Sequence, residues 1–424
     1  MGLPMITVQE ARRRILDAVK PLAAITLPIT EAWGCVLATD IRAPHEIPTF
    51  ASSAMDGYAV RSSDVEGASP VTPVALKKVG EAPIGHPARA VVGPGEAVWI
   101  ATGAPIPEGA DCIAPIEVCL VEGDRVRVLK GFDPGTYVRP VGQDLKRGEL
   151  VVPAGRRLFG PELGMLSTVG HGSVPVHPKI RTAVFSTGDE LIEPAAPAAE
   201  AKVRDANSYT LLGQLHEMGA LPRRIGIIPD DEAKLAHAFT SFGPEADCFI
   251  SSGGVSAGER DMVKRVLRSF GTIDTYRVAM QPGMPQAFGL VEGKPFFGLP
   301  GNPVSVFVSF ELFIRPALLK MMGRADLDRP EITAVMDEEL AGPPDKTRFF
   351  RVRIFPVDGS WRARPTGPSA SNLLGTAVRA HGLAVVPAGV ATVEPGEEVR
   401  VRLFRPPSGA GSPGAFSATP AGLY

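Results

Sequence analysis

The 424-residue chain is poor in aromatics, at 6%, so Val, Ile, Leu and Ala must fill its cores. It has four cysteines, Cys35, Cys112, Cys119 and Cys248, scattered and with no CxxC pair. That spacing excludes a disulfide framework and a cysteine-type zinc site. Neither sign of charge dominates: 44 Lys and Arg face 46 Asp and Glu, a formal net charge of -2. This balance argues against a strongly basic nucleic-acid protein and against a polyacidic tail protein. No run approaches about 18 uninterrupted apolar residues, so no transmembrane helix and no membrane role are expected. The N-terminal segment lacks the apolar core of a signal peptide, and a soluble cytoplasmic chain is the expectation. The seven histidines show no HxxxH or HExxH spacing, and GxSxG and GxxxxGK[ST] are absent, which disfavours a serine hydrolase and a Walker-type ATPase.

Hydrophobic residues make up 44%, which excludes wholesale disorder. The 46 glycines and 42 prolines are about a fifth of the chain, pointing to many turns and short strands. Residues 6–20 read as an amphipathic helix, with Thr7 and Glu10 as a capping box. From about 25 to 175, short apolar runs such as Ala97–Ala101, Cys112–Ile116 and Val126–Leu129 alternate with turn residues, a β pattern, with one helix starting at Pro161. From about 178 the texture alternates: strands at Ile180–Ser186, Leu221–Ile228 and Cys248–Ser252, and helices at Asn207–Met218, Asp230–Phe242 and Asp261–Phe270. A long apolar helix opens at Asn302-Pro303 and runs to about Met322. This predicts a three-layer α/β domain with a mostly parallel sheet, whose functional loops lie at the C-terminal strand ends. Short strands return at Glu331–Met336, Phe349–Phe355, Leu383–Val386 and Glu398–Leu403. Residues 405–424, rich in Pro, Gly, Ser and Ala, read as a disordered tail.

Ser252-Gly253-Gly254-Val255-Ser256-Ala257-Gly258-Glu259-Arg260-Asp261 follows a strand and precedes a helix. Backbone N–H groups in such a loop can cradle a phosphate at a helix N-terminus. A glycine-rich turn capped by Asp261 is the alternative on spacing alone. Thr187-Gly188-Asp189-Glu190 and Asp230-Asp231 follow two other strands. In a parallel sheet their carboxylates gather at one edge with Asp261, where Mg²⁺ suits oxygen ligands beside a phosphate. Helix capping by Asp189 and Asp230 is the competing role. Pro300-Gly301-Asn302-Pro303-Val304-Ser305 forms a helix start in which Asn302 can cap. Asp56, Thr102 and Asp144 lie in segments that are only turns by local rules.

These segments together resemble the molybdopterin molybdenumtransferase family, of the bacterial MoeA type related to the gephyrin E domain. The strings are SAMDGYAVR, ATGAPIP, GQD near residue 143, STGDEL, DANSYTLLGQL, GIIPDD, ISSGGVSAGERD and FGLPGNPVSVFVSFELFIRPAL. The resemblance implies an elongated homodimer with four domains per chain. Residues 1–50 with 140–177 would be a linker and dimerisation domain, and 51–139 an inserted β-rich domain. Residues 178–324 would be the molybdopterin-binding α/β domain, and 325–404 a small β-barrel-like domain. The implied reaction inserts molybdate into adenylated molybdopterin, hydrolyses the adenylate and releases AMP, with Mg²⁺ as the divalent cation. The implied catalytic carboxylates are Asp56, Asp144, Glu190, Asp230 and Asp261. Metal ligation falls to Glu190, Asp230 and Asp261, and Asp56 completes the partner's site. Substrate contacts carry over onto Thr102, Thr187, Ser252, Gly253, Gly254, Ser256, Arg277, Gln281, Pro300, Asn302, Ser305, Arg351 and Ser371. Contact with the molybdopterin adenylyltransferase and with molybdoenzymes is implied too.

The chain departs from the family at one place. Many relatives carry KPGKP, whereas this sequence reads Gln281-Pro282-Gly283-Met284-Pro285. Loss of two positive charges predicts weaker molybdate binding or an altered oxyanion preference. It also keeps a non-catalytic pterin-binding or scaffold paralogue, and a tungstate-using insertase, as alternatives.

Overall fold

The computed structural model describes residues 5–87, 89–253, 265–266 and 269–407. They form two compact units. One comprises the N-terminal segment to Ile25, Gly34–Ala38 and everything from Pro175; the other holds Thr26–Trp33 and Thr39–Val174.

The first unit is built on a seven-stranded sheet. In chain order its strands are β1 (Met5–Ile6), β2 (Arg181–Thr187), β3 (Leu221–Ile228), β4 (Cys248–Ser252), β5 (Gly271–Val278), β6 (Pro285–Val291) and β7 (Lys294–Leu299). Their spatial order is β1-β5-β6-β7-β4-β2-β3. Four of the pairings are parallel; the β5–β6 and β6–β7 pairings are antiparallel. The antiparallel insertion was not anticipated from the residues. Gln-Ala-Phe-Gly-Leu-Val and Lys-Pro-Phe-Phe-Gly-Leu are short apolar runs, separated by Glu292 (φ 50°) and Gly293 (φ 78°), the left-handed pair that a tight hairpin needs.

Helix α1 (Val8–Ala18) buries Val8, Ala11 and Ile15, which join the core of this sheet with Val19, Ile180, Leu211, Phe297 and Leu319. By its apolar contacts α1 groups with the α/β unit, while Thr26–Trp33 and Thr39 onward group with the other. Thr7 Oγ1 accepts from the Glu10 N–H at 3.1 Å, but Glu10 turns to Arg13 and Arg14 rather than closing the capping box. Helix α2 (Asn207–Met218) ends at Gly219, φ 91°, a left-handed C-cap. Helix α3 (Glu232–Phe242) is capped by Asp231, whose carboxylate accepts from Lys234 N. The expected long apolar helix is α4 (Pro303–Ser309) continuing through a π-helical segment, Phe310–Ile314, into α5 (Arg315–Met321). At that segment the buried Glu311 carboxylate receives two bonds from Arg329 and one from Gln214.

The chain then forms a closed five-stranded barrel from β8 (Glu331–Met336), β9 (Thr347–Val357), β10 (Ser360–Pro365), β11 (Gly382–Val386) and β12 (Glu398–Leu403). The ring runs β9-β10-β8-β12-β11 and closes by pairing of β11 with β9. Closure removes both sheet edges. Residues 405–407 are described; the remainder of the expected tail lies outside the described residues.

The second unit centres on a six-stranded sheet of Cys119–Glu122, Arg125–Val128, Val74–Ala82, Glu96–Ile100, Gly57–Val60 and Cys112–Pro115, in that spatial order. Gly57–Val60 and Cys112–Pro115 are buried at every position, because two small apolar clusters cover the two faces.

Candidate functional site

The parallel register of the first unit decides where its chemistry gathers. Thr187 pairs with Ile228, Ser186 with Ser252, and Ser252 with Leu299. The loops after β2, β3, β4 and β7 therefore leave the same sheet edge, where ligands of such sheets sit. Asn207, at the start of α2, ties two of them together. Its amide donates to Ser252 Oγ and to the Gly301 carbonyl, both at 2.7 Å. Asn207 Oδ1 and Thr187 Oγ1 are buried with no hydrogen-bond partner among the described residues. Buried polar atoms normally find a partner, so this edge holds unmet hydrogen-bonding capacity. Gly253 (φ 88°) presses on Thr187: a Cβ there would lie 2.4 Å from the Thr187 carbonyl oxygen. Only glycine allows that approach.

Behind this edge Asp205, 3% exposed, accepts from Ser186 Oγ, from Ser208 N and Oγ, and from Arg224. Burial opposes its charge, yet the bonds from Ser208, Arg224 and Ser186 outweigh it and hold its pKa below the usual carboxylate range.

The acidic loops meet in part. Asp231, not Asp230, caps α3. Asp230 N–H lies 3.3 Å from Asp189 Oδ1. Burial first, then the charges of Asp189 and Glu190, push the Asp230 pKa up. Glu190 curls back over Gly188 (φ 145°), where a Cβ would fall 2.5 Å from its carboxylate. Asp189, Glu190 and Asp230 thus share one negative field that a cation would relieve. Among the described residues no group of three acidic, His or Cys side chains is set to enclose a metal ion. Gly254, Ser256 and Asp261 lie outside the described residues.

The Gln281–Pro285 segment sits beside the barrel. Gln281 is in register with Arg348 on β9, and Gly283 (φ 98°) packs against Ser309 and Gln286. Arg277 directs its guanidinium onto Met284 Sδ at 3.4 Å. Arg351, 3% exposed, donates to Thr376 Oγ1 and to the carbonyls of Pro368, Ser369 and Ala370. Those bonds hold the loop whose Ser371 carbonyl accepts from Val304 N, 2.9 Å away in the first turn of α4. Arg351 is therefore a clamp on that loop. Ser305 is buried in the same first turn, Pro300 is buried before it, and Asn302 makes no side-chain cap bond.

In the second unit, Asp56 and Thr102, 46 residues apart, come together. Asp56 Oδ1 accepts from Thr102 N at 2.7 Å and Thr102 Oγ1 at 2.9 Å, and these bonds lower its pKa. Gly57 has no room for a side chain, since a Cβ would lie 2.2 Å from the Ala114 carbonyl oxygen. Asp144 lines a separate cavity of about 450 Å³ with Ser52, Arg139 and Gln143.

The chain matches three family models: the MoeA N-terminal region (domains I and II) over residues 6–170, a probable molybdopterin binding domain over 183–320, and the MoeA C-terminal region (domain IV) over 333–404. It is 38% identical over 407 residues to molybdopterin molybdenumtransferase 2 of Mycobacterium tuberculosis, covering 94% of this chain and 99% of that one. It is 32% identical to the molybdopterin molybdenumtransferase of Haemophilus influenzae, over 94% and 99% of the two chains. A crystal structure of the Pyrococcus horikoshii molybdopterin biosynthesis protein MoeA superposes with a TM-score of 0.80 at 30% identity. It covers 95% of this chain and all of that one. The fold is that of the MoeA proteins, and the chain belongs to the molybdopterin molybdenumtransferase family.

Three residues of these sites escaped the reading of the residues. Asn207 and Asp205 lie inside the DANSYT string, which marks them but does not say what they hold. Among the described residues, Arg348, 1% exposed, bonds only the carbonyls of Val390 and Ala391, and its Nε and Nη1 have no hydrogen-bond partner. An arginine in an alternating strand carries no signal of that.

Proposed function

We propose that this transferase inserts molybdate into adenylated molybdopterin, with hydrolysis of the adenylate and release of AMP. The observation that supports this most is the set of strand-end groups at one sheet edge, Thr187, Ser252, Gly253, Asn207 and the Pro300–Asn302 turn, beside the Asp189–Glu190–Asp230 carboxylates. The adenylate phosphate is an anion, and the strand-end amides, hydroxyls and the α4 N-terminus are the groups that can receive it. Asn207 Oδ1 and Thr187 Oγ1 stand ready as acceptor and donor.

The carboxylates alone would repel both phosphate and molybdate. The donor set suits Mg²⁺, which binds through one or two carboxylates plus substrate phosphate oxygens and keeps several waters. Glu190 and Asp230 would hold it, with Asp261 as the family pattern implies. Bound there, it supplies charge neutralisation for phosphoanhydride cleavage. The protein's own part is positioning: the Gly253 loop fixes the phosphate, and a carboxylate orients the attacking water. Molybdate would lie near Gln281, Ser305 and Ser371, with Arg277 as a candidate cation and Arg351 holding the loop.

In this reading the protein works as a cytoplasmic homodimer, drawing adenylated molybdopterin from an adenylyltransferase and passing the finished cofactor to molybdoenzymes. No helix among the described residues is long and apolar enough to cross a membrane. The test supplies adenylated molybdopterin and Mg²⁺ to the purified chain and titrates molybdate. AMP and molybdenum cofactor appearing together, in proportion to molybdate, support the reading. Pterin binding without AMP release at any molybdate or tungstate concentration overturns it in favour of a binding paralogue.

A further inference from the structure

We propose that an arginine-lined basin in the C-terminal barrel is a second ligand site, which takes a small ring-bearing polyanion such as a phosphorylated nucleoside. The basin has a volume of about 880 Å³ and is lined by Arg353, Phe355, Arg364, Arg379, His381 and Arg405, among others. It shares no residue with the strand-end site and does not rest on the proposed reaction. Its size lies within the range of about 300–1,000 Å³ found for small-molecule sites.

The charge pattern identifies the ligand class. Arg353 and Arg364 are directly opposite each other on the antiparallel pair β9–β10. Like charges in that position destabilise a sheet. Arg364 shares carboxylates with Asp337 and Glu338. Arg353, Arg379 and Arg405 have no carboxylate ion-pair partner among the described residues, and no Asp or Glu lines the basin. Arg379 Nη2 donates to the Thr366 carbonyl at 2.9 Å, and Arg405 Nη1 to the Val378 carbonyl at 2.8 Å. These single bonds anchor the two guanidiniums and leave most of their five N–H donors for an anion. His381 is buried beneath them. Burial, with smaller contributions from Arg353 and Arg405, pushes its pKa down, consistent with a positive field. The wall is also apolar: Val378 is 63% exposed, and Phe355 lies 5.9 Å under Arg364. A guanidinium over an aromatic face is a platform for a planar ring. A basin of about 880 Å³ suits a small molecule better than an extended acidic peptide.

The test is calorimetric titration of the full chain with ADP, with pyrophosphate and with an oligoglutamate peptide, all in EDTA so that no metal-assisted binding contributes. The expected result is ADP binding tighter than pyrophosphate, weakening with salt. Arg353→Glu and Arg379→Glu should each weaken it by about tenfold or more, while Arg125→Glu, at an exposed strand position of the second unit, leaves it unchanged. Arg353→Gln serves as a milder second variant. It removes one member of the like-charged pair, so it should lower ADP affinity without lowering the melting temperature. ADP affinity that survives all three basin variants, no binding of either phosphate probe at millimolar concentration, or preference for the peptide would each overturn the proposal.

Discussion

Asp230 and Asp205 are both carboxylates at the same sheet edge, and their surroundings push them in opposite directions. The Asp230 pKa is raised, so its ionised form costs stability at neutral pH, and that cost disappears as pH falls through the folded value. Asp230→Asn should therefore leave the melting temperature equal or higher while lowering turnover by about 10²-fold, the usual scale for losing a charged active-site group. Thermal melts beside AMP-release rates check this; a variant with normal turnover removes Asp230 from the mechanism. Asp205 is the reverse case. Its pKa is lowered, so its contribution is complete above the unfolded value near 4 and is lost as pH falls through the lower folded value. Asp205→Asn strands part of Arg224 and should cost about 3 kcal/mol at neutral pH. Denaturant titrations at several pH values should show a shallower acid limb in the variant.

Two loops carry predictions at the level of the element. Gly253 holds φ 88° against the Thr187 carbonyl. Gly253→Ala must either move the β4 end or strain it, at about 1–3 kcal/mol. AMP affinity by equilibrium dialysis should fall with it if, as proposed above, this backbone receives the adenylate phosphate. The Gln281–Pro285 loop is the other. Met284 carries the Arg277 guanidinium on its sulfur, so Met284→Lys adds a second cation within a few ångströms. At an effective dielectric near 20 such a charge alters anion affinity by well over tenfold. The molybdate concentration needed for half-maximal cofactor formation should drop by about that factor. An unchanged requirement would separate this loop from molybdate binding.

At the scale of the molecule, the N-terminal segment belongs energetically to a sheet formed more than 170 residues later. Strand β1 pairs with β5, Met5 opposite Arg277, and α1 puts Val8, Ala11 and Ile15 into the main core. Each fully buried side chain of that kind is worth roughly 1.5–3 kcal/mol. Deleting residues through 18 should therefore lower the unfolding free energy by several kcal/mol and uncover the β5 edge. Circular dichroism melts and a rise in aggregation would register it; an unaltered melting temperature would show that the segment is dispensable.

Much of the α/β unit was legible in the residues. Leu221–Ile228 and Cys248–Ser252 match their strands residue for residue; the second is a short buried run closed by glycines, whereas the first is a half-exposed edge strand. Glu331–Met336 and Glu398–Leu403 do so in the barrel by simple alternation. The β5–β6–β7 meander was not legible, since short apolar runs leave strand direction open. Nor was the docking of the N-terminal helix on this sheet, which depends on contacts between residues far apart in sequence; the C-terminal barrel was expected, but through the family resemblance rather than from strand alternation alone. The site divides along the same line. Motif strings named Asp56, Thr102, Glu190 and Asp230 as candidates through the family resemblance. That Asp56 takes both donors of Thr102, that Asp231 rather than Asp230 caps the helix, and that Arg351 is spent on backbone carbonyls followed from packing. A hydrogen bond is made or lost over less than an ångström, and only the assembled strands and loops set distances that fine.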